Sequence, residues 1–268
     1  MKRIVAVALL ACAILLPAAG QTVRLRLATT TSTQDSGLLP VLNPPFEKLT
    51  GITVDVIAVG SGKAITLGQN GDVDVILVHD RKAEDAFVAA GGGVNRRDVM
   101  HNDFVVVGPV DDPAKVAAAG SATDAFLRII AAGATFVSRG DASGTNVKEL
   151  DIWAKAGGKP TAKWYKEVGQ GMGAVLTMSL DLKAYTLADR GTWLSMKDKL
   201  PGLKIVSEGD PFLFNPYGVI AVNPEKWPKA NYLAAMQYIA WLTSAEGQRI
   251  IRDYKIGGQQ LFYADAVK

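Results

Sequence analysis

The sequence has only one cysteine, Cys12, and only two histidines among its 268 residues. Cys12 lies inside an apolar run at the start of the chain, and no cysteine follows it. Once that run is removed, a disulfide framework and a thiolate metal site are both excluded. His79 follows a predicted strand and His101 stands in the stretch MHNDF, so we interpret both as turn or surface residues rather than members of a catalytic triad.

Long hydrophobic runs are confined to the first twenty residues, which have the pattern of a secretory signal. Lys2 and Arg3 give a positive start, residues 4–16 are apolar but too short to span a bilayer, and residues 18–20 are small. We expect residues 1–20 to be a cleaved signal peptide. No later segment offers eighteen uninterrupted apolar residues, so no membrane-spanning helix is expected after it.

An excess of charge of either sign is also missing. The chain has 29 basic and 26 acidic side chains, and removal of Lys2 and Arg3 leaves 27 basic ones, a formal charge of +1. A nearly neutral chain has little electrostatic attraction for a phosphate backbone. Nucleic acid is therefore not expected as a partner.

Several catalytic and metal-binding motifs are incomplete. The stretch GSGK (60–63) resembles the end of a phosphate-binding P-loop, but Ile57 stands where that motif needs glycine. GDASG (140–144) is not the nucleophile motif G-x-S-x-G, because its serine comes one place too late. Asp72, Asp74 and Asp80 lack the spacing of a metal loop, and we interpret them as two strand residues and a helix cap.

Short apolar runs alternate with amphipathic stretches along the rest of the chain. This alternation predicts an α/β protein with mainly parallel sheets. The predicted strands are 23–28, 52–59, 72–78, 104–107, 134–137, 204–206 and 219–222. A first helix through Leu38 and Leu42 should end or kink at Pro44-Pro45, and a last helix is predicted over 232–254.

Three loops rich in hydroxyl groups follow predicted strands and precede predicted helices. They are TTTST (29–33), GSG (60–62) and SRGDASGT (138–145). A helix start presents unpaired N–H groups and a partial positive charge, and strand ends meet at one edge of an open α/β sheet. The three loops together therefore predict a cleft that binds an anion.

The third loop carries the most specific chemistry. Ser143 and Thr145 offer hydroxyls, Gly144 allows a close backbone approach, and Arg139 adds a permanent charge and a planar set of donors. Asp141 would repel a dianion. It has two open interpretations: it accepts a proton that the anion carries, or it holds Arg139 in place.

The order of these motifs resembles the tungstate-binding periplasmic proteins of the TupA type. The resemblance covers essentially the whole chain after residue 20. It rests on the stretches 27–51, 59–65, 102–114, 136–146, 185–193 and 242–251, of which TTTS and SRGDASGT are the most specific.

The resemblance implies a two-lobed type II periplasmic-binding (Venus-flytrap) fold. Lobe I would comprise residues 21–107 plus 218–268, and lobe II residues 108–217. The chain would cross between them near Gly108-Pro109 and Pro216-Tyr217. Such a protein would be a periplasmic monomer that is not an enzyme and has no cofactor. It would capture tungstate, or molybdate, between the lobes and deliver it to the permease of an ABC importer.

The implied ligand contacts are neutral donors from both lobes and one guanidinium. They are Thr30, Thr31, Ser61, Arg139, Ser143, Gly144 and Thr145, with Thr29, Ser32 and the N–H of Met172 as further contacts. No protein-bound metal is expected apart from the tungsten of the oxyanion.

Two other functions stay open on the sequence. SRGDASGT also resembles the arginine, aspartate and SGT arrangement of phosphate receptors, in which the aspartate accepts the phosphate proton. An exported serine hydrolase that uses Ser143 is the alternative from a different class, and it would need a general base within reach of that serine.

Overall fold

The computed structural model describes residues 23–267, so the predicted signal peptide lies outside the described residues. Helices and strands alternate along this part of the chain. The helices are α1 (Thr31–Asp35), α2 (Leu39–Thr50), α3 (Ser61–Asn70), α4 (Arg81–Ala89), α5 (Ala122–Ala132), α6 (Gly144–Lys155), α7 (Met172–Asp181), α8 (Arg190–Met196), α9 (Tyr232–Leu242) and α10 (Ala245–Asp253). The strands are β1 (Val23–Thr30), β2 (Ile52–Val59), β3 (Val75–Val78), β4 (Gly93–Pro109), β5 (Phe136–Ser138), β6 (Tyr165–Glu167), β7 (Thr186–Asp189), β8 (Leu203–Ser207), β9 (Phe214–Val222), β10 (Lys255–Ile256), β11 (Gln259–Gln260) and β12 (Tyr263–Ala264).

The first lobe is built on a sheet with the strand order β12-β4-β9-β3-β1-β2. Strand β1 pairs in parallel with both β2 and β3, whereas β9 pairs antiparallel with β3 and β4. Helices α2, α3, α4 and α9 pack against these strands. The carboxyl ends of β1, β2 and β3 therefore lie at one edge of this sheet, where each is followed by a loop and a helix.

The second lobe shares strand β4 with the first. Residues 104–109 of β4 leave β9 and pair antiparallel with β7 and β8. Strands β5 and β6 form a separate parallel pair, which an isolated bridge from Phe136 to Tyr185 connects to the start of β7. The two-lobed α/β fold is thus confirmed.

The sheets are mixed rather than mainly parallel, which corrects the expectation from the sequence. Parallel pairing needs crossover connections, and the chain makes two of them, from β1 to β2 and from β2 to β3. Strand β4 instead runs 17 residues through both lobes, and β9 returns beside it in the opposite direction. The shared strands are therefore antiparallel by geometry.

Three clusters of buried apolar side chains form the core. One cluster, with Phe126, Phe136 and Trp153, belongs to the second lobe, and another, with Phe87 and Ile76, lies on one face of the first sheet. The largest cluster draws side chains from both lobes. Among residues 23–267 no helix is long and apolar enough to cross a membrane.

Helix α2 continues through Pro44 and Pro45 to Thr50, so the prediction that it ends there is wrong. A proline in a helix removes one N–H and leaves the carbonyl four residues earlier without its partner. Those carbonyls belong to Pro40 and Val41, which lie on the exposed face. Water can satisfy them, while Leu42 and Phe46 stay in the core.

The last predicted helix is two helices. Ser244 caps α10, because its hydroxyl accepts a hydrogen bond from the Gly247 N–H at 3.0 Å. A Cβ atom at Gly247 would lie 2.1 Å from the carbonyl oxygen of Trp241, so the turn between the helices needs glycine there.

The predicted crossing at Gly108-Pro109 falls at the end of β4, in the second sheet. A Cβ atom at Gly108 would lie 2.4 Å from the Tyr185 ring, so this glycine makes room for an aromatic side chain. The predicted crossing at Pro216-Tyr217 lies inside β9, opposite His101 and Met100. The proposed lobe limits stay a prediction.

Candidate functional site

The three hydroxyl-rich loops meet in the cleft between the lobes. The Gly144 N–H of the second lobe donates a hydrogen bond to Ser61 Oγ of the first lobe at 3.2 Å. Arg139 Nη2 donates to Thr31 Oγ1 at 3.4 Å, again across the lobes. Backbone hydrogen bonds of Tyr185 with Thr135 and Val137 hold the strand before the third loop in the second lobe. Each lobe thus contributes donors to one shared place.

The loop 138–145 has a tightly turned backbone. Gly140 has φ +60° and Ala142 has φ +56°, a left-handed conformation that is unfavourable for a residue with a side chain. Ser143 then caps α6 by accepting a hydrogen bond from the Asn146 N–H at 3.3 Å. These turns direct the start of α6 at the first lobe.

Asp141 is bound by groups of its own loop. Its Oδ2 accepts hydrogen bonds from Arg139 Nε at 3.2 Å and Nη2 at 2.6 Å. Its Oδ1 accepts from the Ser143 N–H at 3.1 Å. Both carboxylate oxygens are therefore occupied, and the second interpretation of Asp141, that it holds Arg139, fits the geometry.

Thr145 carries a buried hydroxyl without a hydrogen-bond partner among the described residues. Thr145 is 1% exposed. A buried polar group without a partner costs free energy, so this hydroxyl is free to bond to a further group. Helices α3 and α7 begin after Gly60 and Gly171 without a side-chain cap, so their first N–H groups also lack side-chain acceptors.

The hydroxyls of the first loop are divided between structural bonds and the cleft. Thr29 is buried in the sheet and donates to the Leu77 carbonyl at 2.7 Å. Thr30 caps α1, accepting from the Thr33 N–H at 3.1 Å. Ser32 lies 3.0 Å from Thr30 Oγ1. Thr31 is the partly exposed member, and its hydroxyl faces Arg139.

Met172 opens helix α7, and its side chain is fully buried in the core. Only its backbone N–H can face the cleft. The preceding residue, Gly171, lies near Thr31, since a Cβ atom at Gly171 would be 3.7 Å from Thr31 Oγ1. The start of α7 thus reaches the same place as the other loops.

His79 belongs to this region, and its interpretation as a turn or surface residue is wrong. The side chain is buried, stacks on Tyr217 with ring centroids 4.7 Å apart, and bonds to Ser32 and Asn215. Burial, together with the charge of Arg139, lowers the pKa of His79 to about 4. The signal for it was available: His79 follows β3, whose carboxyl end shares an edge with that of β1.

Ser32, His79 and Asn215 form a serine–histidine–asparagine arrangement. Ser32 Oγ lies 3.2 Å from His79 Nε2, and His79 Nδ1 lies 2.9 Å from Asn215 Oδ1. A nucleophile needs access to substrate and a base whose pKa is near the working pH. Ser32 is 1% exposed, and the pKa of His79, about 4, is far below neutral pH. The arrangement therefore does not suit hydrolysis.

Ser143, the serine of the hydrolase alternative, has no histidine nitrogen among its hydrogen-bond partners in the described structure. Its hydroxyl accepts from the Asn146 N–H. Both nitrogens of His79 are engaged by Ser32 and Asn215. Among residues 23–267, His79 is therefore not placed to act as a general base for Ser143.

Comparison with known proteins agrees with this arrangement. A family profile described as a PBP superfamily domain matches residues 17–246. A tungstate-binding protein TupA from Peptoclostridium acidaminophilum is 48% identical over 246 residues, which are 90% of this chain and 86% of that protein. The chain belongs to the TupA family of the PBP superfamily.

Two further similar proteins cover most of the chain. The crystal structure of the tungstate ABC transporter from Geobacter sulfurreducens is 57% identical, has a TM-score of 0.80, and aligns over 86% of this chain and 98% of that one. A Haloferax volcanii protein, provisionally named an ABC transporter anion-binding protein, is 55% identical over 92% of this chain and 74% of its own length.

Proposed function

We propose that this TupA-family chain is a solute-binding protein, not an enzyme, that captures tungstate between its lobes and delivers it to an ABC importer. The observation that carries the proposal is the buried hydroxyl of Thr145, which has no partner among the described residues. It lies beside Gly144, whose N–H reaches Ser61 of the other lobe. The relatives named for tungstate binding support the choice of anion.

The proposed contacts come from both lobes. Thr31 and Ser61 would donate their hydroxyl protons, because both oxygens already accept a hydrogen bond from the opposite lobe. Thr145 and the remaining N–H groups of Arg139 would donate from the second lobe. Thr30, Ser143 and Gly144 would contribute backbone groups or position their neighbours. A dianion that bridges both sets favours the closed state, since each new contact exists only there.

The state of Asp141 favours a fully ionised anion over phosphate. Hydrogen phosphate carries a proton and needs an acceptor, whereas tungstate at neutral pH needs donors only. Arg139 and Ser143 together donate three hydrogen bonds to Asp141, so about one of its four lone-pair positions is left to accept a proton from an anion. Molybdate has the same charge and shape as tungstate and would use the same donors.

Titration calorimetry tests this proposal directly. The protein without residues 1–20 is titrated with sodium tungstate, sodium molybdate and sodium phosphate at pH 7.5 or so. Six or seven charge-assisted hydrogen bonds of about 1.5–3 kcal/mol each support a nanomolar or tighter affinity for tungstate after association costs. Phosphate should bind at least about 100-fold more weakly. Equal affinity for phosphate, or none for tungstate, would overturn the assignment.

The proposed location is the periplasm, and the proposed partner is a membrane permease that receives the anion from a monomeric protein. Mass spectrometry of the protein purified from its native compartment reads both the mature N-terminus and the bound element. We expect a start near residue 21 and tungsten in the purified protein. A retained N-terminal segment would contradict the cleaved signal.

A further inference from the structure

His79 lies where both lobes and both shared strands meet. Its ring packs against Tyr217 of β9 and Phe104 of β4, with centroids 4.7 Å and 6.2 Å away. On the cleft side, a Cβ atom at Gly144 would lie 3.0 Å from both His79 Nδ1 and the His79 carbonyl oxygen. The first residue of α6 therefore rests directly on this histidine.

The hydrogen bonds of Asn215 determine which nitrogen of His79 carries the proton. Asn215 Nδ2 donates to Asn102 Oδ1 at 2.6 Å, so the other amide atom, Oδ1, faces His79 Nδ1 at 2.9 Å. A carbonyl oxygen only accepts, so Nδ1 is the protonated nitrogen. The lowered pKa of His79, which burial causes, keeps the ring neutral. Nε2 is then an acceptor.

The hydroxyl of Ser32 must therefore donate to His79 Nε2, 3.2 Å away. With its proton used, Ser32 Oγ accepts from Thr30 Oγ1, 3.0 Å away. Thr30 Oγ1 in turn accepts from the N–H and the hydroxyl of Thr33, at 3.1 Å and 2.6 Å. One direction of donation therefore runs from Thr33 through Thr30 and Ser32 to His79.

We propose that His79 is a positioning residue for anion binding: it accepts the Ser32 proton, which orients the hydroxyls of the first loop, and it supports Gly144 of the second lobe. The inference rests on the proposed function of the cleft. Ser32 is next to Thr31, and Gly144 is next to Thr145. Through these neighbours His79 sets the positions of donors on both sides of the anion without touching it.

A double-mutant cycle tests the link between His79 and Ser32. His79→Phe keeps an aromatic ring on Tyr217 but removes both nitrogens, and Ser32→Ala removes the hydroxyl. Each should weaken tungstate binding by about tenfold in titration calorimetry, the effect of one well-placed hydrogen bond. The double variant should bind tungstate no more weakly than the weaker-binding single variant, because both changes break the same series of hydrogen bonds. Fully additive losses, or unchanged affinity, would overturn the proposal.

His101→Phe is the matched control. His101 also packs between two aromatic rings, those of Phe214 and Tyr263, and its Nδ1 also forms a hydrogen bond, to Asp265 at 2.8 Å. None of these described contacts of His101 reaches the three loops of the cleft. This variant should bind tungstate within about twofold of the wild type.

Nitrogen-15 NMR of the wild-type protein provides a readout that does not depend on a variant's folding. The chemical shifts of His79 should show the Nδ1–H tautomer near neutral pH, and a protonated Nε2 would overturn the direction of donation. Wild-type protein that binds no tungstate would refute the proposed function. Wild-type binding with an unaffected His79→Phe variant would refute this inference alone.

Discussion

At the scale of single residues, the interpretation of Asp141 depended on which group lies beside it. The sequence left a proton acceptor and a support for Arg139 as equal alternatives. The described contacts of Arg139 and Ser143 with both carboxylate oxygens favour the support. A sequence gives the spacing of Arg139 and Asp141, but only the left-handed turns at Gly140 and Ala142 bring their side chains together.

Arg139→Ala should weaken tungstate binding by about 100-fold or more while the protein stays folded. The change removes the only formal positive charge of the loop 138–145 and leaves Asp141, without its ion-pair partner, near the dianion. A charge-assisted hydrogen bond contributes about 1.5–3 kcal/mol, and the unpaired carboxylate adds repulsion. Titration calorimetry measures the loss, with the exposed Arg252→Ala as control. Unchanged affinity would refute the role of Arg139.

Thr145→Val should change stability and affinity in opposite directions. Valine has nearly the same shape, and it removes a buried hydroxyl that has no partner in the described structure. Urea unfolding of the ligand-free protein should show equal or higher stability, by up to about 1 kcal/mol, while tungstate affinity falls by about fivefold or more.

Thr186→Val is the counterpart for that test. Thr186 is equally buried, but its hydroxyl donates to the Val137 carbonyl at 2.7 Å. Its loss should cost about 1 kcal/mol of stability and leave tungstate affinity unchanged. If Thr145→Val destabilises the ligand-free protein as much as Thr186→Val does, the Thr145 hydroxyl has a structural partner after all.

Glu149→Gln should make the protein more stable at pH 8 than the wild type. Burial raises the pKa of Glu149 to about 7, although Tyr165 and Trp153 donate hydrogen bonds to it. The folded state therefore holds a proton that the unfolded chain loses above about pH 4.5. The stabilisation from this group is present at low pH and is lost as the pH rises through about 7.

The expected gain for Glu149→Gln is about 1–3 kcal/mol at pH 8 and near zero at pH 5, because glutamine resembles the protonated acid. Urea unfolding of variant and wild type at both pH values measures this difference. Glu225→Gln, at an exposed position, should show no such dependence. A difference that is the same at both pH values would contradict the raised pKa.

At the scale of elements, the helix starts divide into two kinds. Helices α1 and α6 are capped by Thr30 and Ser143, whereas α3 and α7 begin after glycine with no side-chain cap. A side-chain cap satisfies one N–H and stabilises a helix by about 1 kcal/mol. Its absence at α3 and α7 leaves their first N–H groups without a side-chain acceptor.

The elements were largely predictable because their signals are local. Strand 52–59 was predicted with the bounds that the structure has, and strands near 23–30 and 203–207 within two residues. The errors have tertiary causes. Pro44 and Pro45 stay in α2 because their freed carbonyls face solvent, and β4 extends beyond 104–107 because β9 and β12 pair with its first half.

At the scale of the whole molecule, the lobes are in close backbone contact, and the proposed closure would depend on it. Glycines at positions 60, 62 and 144 line this contact, where added Cβ atoms would lie 3.7 Å, 3.3 Å and 3.0 Å from the opposite side. The contact at Gly144 is the tightest, because it involves the ring and the backbone of His79. The ring and the backbone of His79 are packed between β9 and α6, so neither can move aside easily.

Gly144→Ala should therefore hinder closure and weaken tungstate binding by about tenfold or more, with little change in the stability of the open protein. Small-angle scattering should show that tungstate reduces the radius of gyration of the wild type. The reduction should be smaller for the Gly144→Ala variant. Gly120→Ala, where an added Cβ would meet nothing within 4 Å, should behave as wild type. Normal affinity and compaction of Gly144→Ala would contradict the role of this contact.

The sequence by itself determined the class of fold, the strand and helix alternation, the three hydroxyl-rich loops and the anion-binding hypothesis. These features follow from hydrophobic periodicity and from residue types at helix starts, which are local properties of the chain. Only the tertiary structure decided that Arg139 pairs with Asp141, that Thr29 and Thr30 make structural hydrogen bonds, and that His79 lies at the cleft. Such pairings join residues from separate strands and turns, so their partners depend on how the lobes pack and not on sequence spacing.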